Sequence, residues 1–168
     1  MSPRFLGAKV AVIVWVGPGG SSADSATITP YTMDGSTPTV CAATTCGSGA
    51  TPSTTKDRHR FWGFAHGLPG SVSAVDGIRV RADLRLNNAT GTTNVCAQLS
   101  WDGGTTWTTI KTVSIPNATE ATYIFGSTGD PWGHTWTLAQ LNTTNFRVRI
   151  IDASSSTSKR FQLEYVAV

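Results

Sequence analysis

Acids, bases and nucleophiles are the residues that could do chemistry, and in this 168-residue chain they are few and scattered. Glutamate occurs twice, at Glu120 and Glu164. Hydrolysis of a glycosidic bond takes two facing carboxyl groups. The pattern instead puts Glu164 on the outward side of a strand and Glu120 in a turn. The aspartates fall mostly in turn dipeptides, Asp34-Gly35, Asp76-Gly77, Asp102-Gly103 and Asp130-Pro131, where a carboxylate satisfies nearby backbone. His59, His66 and His134 stand alone. No G-x-S-x-G, H-E-x-x-H, P-loop or dinucleotide-binding glycine pattern is present. The turn carboxylates could offer oxygens to Ca²⁺, yet no D-x-D-x-D cluster concentrates them. The expectation is a protein that is not an enzyme and carries no metal and no cofactor.

Cys41 and Cys46 bracket a small loop, VCAATTCGSG. Their C-x4-C spacing predicts a disulfide between them, and hence an oxidising compartment. Cys96 is expected to be a small buried thiol. Zinc is the competing reading: Cys96 and one of the three histidines would have to complete a set of four ligands.

Two residue types carry binding potential. Arg79, Arg81, Arg85, Arg147, Arg149 and Arg160 fall on outward positions of alternating strands. As neighbours they would form a basic face for a glycan or another polyanion; as solvated residues they would pair with Asp83 and Glu164. The net charge of +3 permits such a face without requiring it. Six tryptophans are many for this length. Alternation and turn packing explain Trp101 and Trp107. Trp132 and Trp136, in the loop GDPWGHTW, are the candidates for stacking on a sugar ring.

The elements that must position these residues are strands. Thr occurs 26 times and Ser 16 times, and 14% of residues are charged. Thr favours a pleated, half-buried surface, so this is an all-β composition. Residues 76–86 alternate cleanly, with Ile78, Val80, Ala82, Leu84 and Leu86 on one side. Residues 94–101, 107–115, 121–126, 134–138, 145–152 and 160–168 read as further strands, the last burying Phe161, Leu163, Tyr165 and Ala167. Residues 59–67 make another, while 26–33 and 38–42 are extended pieces of a loose region. The fold expected is a two-sheet antiparallel β-sandwich with jelly-roll or Greek-key connections. It divides into an N-terminal strand with a Gly/Pro hinge over 1–20 and a single domain over 21–168. No apolar run reaches the roughly 18 residues of a transmembrane helix, so no membrane span is predicted.

The stretch SWDGGTTW resembles the Asp-box, the S-x-D-x-G-x-T-W turn of sialidases and many other secreted β proteins, with Ser100, Asp102, Gly104, Thr106 and Trp107 in its places. That resemblance implies a structural turn and not an active site. The succession GIRVRADLRL, VCAQLSWDGGTTWT and DPWGHTWTLAQLNTTNFRVRI, closed by an aromatic strand, resembles jelly-roll-like β-sandwich domains of bacterial and archaeal surface proteins and of phage structural proteins. The resemblance covers roughly residues 60–168. It implies a sandwich in an extracellular, cell-surface or virion setting, and no activity.

Val10, Ala11, Val12, Ile13, Val14, Trp15 and Val16 form a run with no polar face, followed by GPGG. A secretory leader is one reading, with the run at the lower limit for its apolar core. A strand buried on both sides is the other, and a two-layer domain cannot cover it alone. The expectation drawn from this is a donor-strand filament subunit: the segment completes a neighbouring copy's sheet, giving a head-to-tail homopolymer. A carbohydrate-binding module and a phage tail or capsid decoration protein are the alternatives.

Overall fold

The computed structural model describes residues 15–24, 32–34, 45–53, 56–88, 91–155 and 159–168. Eleven strands lie within them: β1 (Gly20–Ala23), β2 (Thr32–Asp34), β3 (Gly47–Ser48), β4 (Thr51–Pro52), β5 (Arg58–Trp62), β6 (Arg79–Leu86), β7 (Thr93–Ser100), β8 (Lys111–Ser114), β9 (Ala121–Gly126), β10 (Arg147–Ser154) and β11 (Arg160–Ala167). A five-stranded sheet runs β1-β5-β10-β7-β8 and a four-stranded sheet runs β2-β11-β6-β9, every pairing antiparallel. The protein is an all-β sandwich. No helix among the described residues is long and apolar enough to cross a membrane.

Alternation makes the sandwich. The inward positions of β6 (Val80, Ala82, Leu84, Leu86) pack with Phe125, Phe161 and Leu163 of their own sheet. Against them come Phe61, Val95, Ala97, Leu99, Val148 and Ile150 of the other, forming one buried cluster. Burying each large side chain contributes about 1.5–3 kcal/mol. Strand β7 is covered on both sides, because the β3–β4 hairpin lies across its outer face. There the Gln98 amide donates to Ala50 O at 2.9 Å, and Ile110 N donates to Gly49 O.

Four expectations change. The Cys41–Cys46 disulfide is not the bond that involves Cys46: Cys46 is joined to Cys96, 50 residues away, with Cα atoms 6.4 Å apart. Cys96 points outward from β7, where the hairpin brings Cys46 over it, so it is no free thiol; Cys41 lies outside the described residues. Residues 134–138 form no strand, and a short 3-10 turn at Leu138–Gln140 follows instead. In β11 the register slips between Leu163 and Tyr165. The extra residue of this bulge reverses which side faces out, leaving Tyr165 exposed while Val166 is buried. Strand β1 was not expected at all. Its sequence, GSSA, has no apolar signal, and main-chain pairing to β5 holds it at the sheet edge.

Candidate functional site

The outer face of the five-stranded sheet is built from alternate residues of β5 and β10. Arg58, Arg60 and Trp62 of β5 point the same way, and the register sets Arg147 opposite Trp62 and Arg149 opposite Arg60. Two arginines directly opposite one another are unfavourable without a counter-charge. Asp24, just beyond the end of β1, supplies it. One of its oxygens accepts from Arg149 Nε at 2.7 Å, and the other forms an ion pair with Arg60 Nε at 3.1 Å. The Asp24 main-chain carbonyl accepts from Arg58 Nη2 at 3.0 Å. The Asp24 carboxylate is therefore shared by two guanidinium groups, those of Arg60 and Arg149, with Arg58 on its main-chain oxygen and Arg147 alongside.

Indole rings brace two of these cations. The Arg149 guanidinium lies 3.6 Å from the ring centre of Trp107, and that of Arg147 lies 5.5 Å from Trp62. Arg149 is nearly buried, and its Nη1 donates to Gln98 Oε1 at 3.2 Å. Burial pushes its pKa down; Asp24 pulls it back, and Arg58 and Arg60 add to the depression. Burial also lowers Arg147, with Arg60 adding its repulsion. Arg60 and Arg147 keep partial exposure.

The Asp-box-like turn places Trp107. Asp102 Oδ1 accepts from Thr105 N at 3.0 Å, Thr106 N at 2.8 Å and Ser100 Oγ at 2.9 Å, while Ser100 Oγ accepts from Gly104 N. Burial raises the Asp102 carboxyl, but the bonds from Thr106, Ser100 and Thr105 outweigh it and leave the pKa below the usual range. Gly104 has φ +97°, and a Cβ there would come within 3.3 Å of the Trp107 ring. Trp107 Nε1 donates to Gly104 O at 2.9 Å, which fixes the indole beneath Arg149.

The other predicted site residues lie elsewhere. Trp132 and Trp136 are 2% and 5% exposed, so neither offers a ring to a sugar. The loop folds its indoles inward. Trp132 Nε1 donates to Ile78 O at 2.7 Å, Trp136 Nε1 donates to Pro131 O at 2.8 Å, and Trp136 packs on Phe146. Trp101 is stacked at 3.8 Å by His134. The six outward arginines do not form one face. Arg79, Arg81, Arg85 and Arg160 belong to the four-stranded sheet, and Arg147 and Arg149 to the other. Arg58, Arg60 and Trp62 complete the cluster; their shared parity in RHRFW was the signal that could have found them.

Of the apolar N-terminal run, Val10–Val14 lie outside the described residues. Trp15 and Val16 stay on their own domain. Val16 N donates to Val168 O at 2.9 Å and Val168 N returns the bond at 3.0 Å, while Arg79 lies over the Trp15 ring. Among the described residues, no group of three or more His, Cys, Asp or Glu is placed to hold a metal.

No family model matches the chain, and no curated protein does. Among solved structures, the chain is similar to the crystal structure of CBM28, a carbohydrate-binding module specific for non-crystalline cellulose. The identity is 14% and the TM-score 0.37, over 71% of this chain and 72% of that one.

Proposed function

We propose that this chain is a non-enzymatic, extracellular glycan-binding module that holds its ligand on the outer face of the five-stranded sheet. The observation that carries this reading is the set of side chains gathered there from two neighbouring strands, Arg60 and Trp62 with Arg147 and Arg149, held in place by ring stacking and by Asp24. Guanidinium forks donate in pairs with fixed geometry, which suits the oxygens of a sugar chain. Donors already fixed by their neighbours lose little freedom when a ligand arrives.

Two further observations support the reading. Three of the turn and strand aspartates are engaged in structure: Asp83 with Arg81 and Thr122, Asp102 in its turn, and Asp130 with Lys111 and the Trp132 amide. The Cys46–Cys96 disulfide suits an oxidising compartment. The pairing of Val16 with Val168 keeps the described end of the apolar segment at home, so strand donation is not part of this reading.

Binding of the purified protein to a panel of immobilised neutral and acidic polysaccharides tests it. Retention on at least one of them, lost on Arg60→Ala/Trp62→Ala substitution without loss of fold, is the expected result. No retention on any would refute it.

A further inference from the structure

The charge on the binding face points to the class of glycan, an inference that rests on the glycan-binding reading above. Arg58, Arg60, Arg147 and Arg149 lie together on β5 and β10, and Asp24 is the described carboxylate among them. Asp24 shows what an anion does here. Its two oxygens bridge Arg60 and Arg149, which stand directly opposite each other in the ladder. One described carboxylate against Arg60, Arg147 and Arg149 leaves an excess of positive charge on this surface, and Arg147 has no described carboxylate against it. The Arg147 side chain donates to the main-chain oxygens of Thr143 and Phe146, at 3.4 and 3.2 Å, and leans on Trp62. These contacts orient the group and supply no counter-charge among the described residues.

We infer that this face binds an acidic polysaccharide, whose carboxylate or sulfate groups seat against Arg60 and Arg147 beside Asp24. A nucleic acid is the other polyanion such a surface could attract. Single-stranded nucleic acid, however, is gripped by stacking bases on open aromatic faces, and the rings here are already in use. Trp107 lies under Arg149, and Trp62 has Arg147 on it and the backbone of Gly20 against its edge. The disulfide also suits an oxidising compartment, outside the reducing interior where most nucleic acid is held.

The test is titration of the protein with an oligogalacturonate, a heparin oligosaccharide, a carboxyl-reduced oligogalacturonate and a single-stranded oligonucleotide, at two salt concentrations. Arg147→Gln, Arg147→Lys and Arg60→Gln probe the face, and Arg85→Gln on the opposite sheet serves as control. Melting curves confirm that each variant folds.

The inference expects binding of the oligogalacturonate, the heparin oligosaccharide or both, weakened by salt. Arg147→Gln and Arg60→Gln should each weaken it roughly three- to tenfold, Arg147→Lys should recover part of the loss, and Arg85→Gln should change nothing. The two acidic probes separate carboxylate from sulfate. Equal binding of the carboxyl-reduced glycan, equal loss in Arg85→Gln, or tighter binding of the oligonucleotide would overturn the inference. Binding of neutral glycan with Arg147→Gln intact would sink this inference alone. Failure of every glycan would sink the glycan-binding reading with it.

Discussion

The two sheets each turn arginines outward, and they treat them differently. On the four-stranded sheet, Arg81 grips Asp83 at 2.6 Å and lies over Tyr165, Arg85 approaches Glu164 at 4.0 Å, and Arg79 covers Trp15. Cations and carboxylates alternate along the same strands there, and the hydrogen bond from Arg81 holds the Asp83 carboxyl below its usual range. On the five-stranded sheet Arg60 and Arg149 share Asp24, and rings stand beside Arg147 and Arg149. Equal numbers of one residue type can thus make a face of paired charges or one with an excess of positive charge. What decides is the residue at the next outward position: Asp83 between Arg81 and Arg85 on one sheet, Trp62 beyond Arg60 on the other.

The largest change should come from the bond that pins the hairpin to the five-stranded sheet. The Cys46–Cys96 link closes 50 residues, and chain entropy alone makes such a closure worth about 4 kcal/mol. Cys96→Ser should lower Tm sharply in a calorimetric scan and expose the outer side of β7. The four-stranded face has no such link among the described residues, so its Arg81–Asp83 pair should survive reduction.

Next comes the ring under Arg149. Trp107→Ala removes a buried indole and should cost about 3 kcal/mol by denaturant titration. It should also weaken ligand binding by freeing the guanidinium. A more local blow, Asp102→Ala, should reproduce part of both effects, because the turn positions that indole.

The comparison itself is tested by removing one carboxylate from each face. Asp24→Asn leaves the nearly buried Arg149 without its counter-charge and should cost about 2–3 kcal/mol. Asp83→Asn strands a guanidinium that reaches water, and it should lower Tm by no more than about 2 °C. Equal losses from the two substitutions would erase the distinction.

An effect of opposite sign lies just past the Arg58–Ile151 end of the β5–β10 ladder, where Asp152 N donates to Asp57 O at 3.2 Å and both side chains are buried. Burial, and then the charge of Asp57, push the Asp152 carboxyl well above its usual range, with Lys56 pulling the other way. The native state therefore keeps that proton to higher pH than the unfolded chain does. Stability should fall as pH rises from about 4 through the raised native value. Asp152→Asn should flatten that slope and raise Tm at pH 8 by roughly 3 °C.

Much of the sandwich is legible in the sequence. The alternation in RVRADLRL and in FRVRII places β6 and β10 and assigns their faces. What escapes has physical reasons. GSSA pairs through its main chain alone, so it leaves no side-chain pattern. Cys46 finds Cys96 through the sheet topology, which local C-x4-C spacing cannot see. The Gly and Pro residues around Trp132 and Trp136 read as an exposed loop, yet Trp132 sits at φ +58° with its ring beside Gly126 and its Nε1 on Ile78. The arginines could be assigned an outward direction from periodicity, but not a sheet. The proposed binding face emerges only once β5 is set beside β10.

The central claim is that the ligand lies on the five-stranded face. Two-dimensional amide NMR of the folded protein, titrated with an oligogalacturonate, tests this most directly. Shifts should concentrate at Arg58–Trp62 and Arg147–Arg149, including the Trp62 indole N–H, with residues 79–86 and 160–167 unmoved. Shifts centred on that second group, or none at saturating ligand, would contradict it.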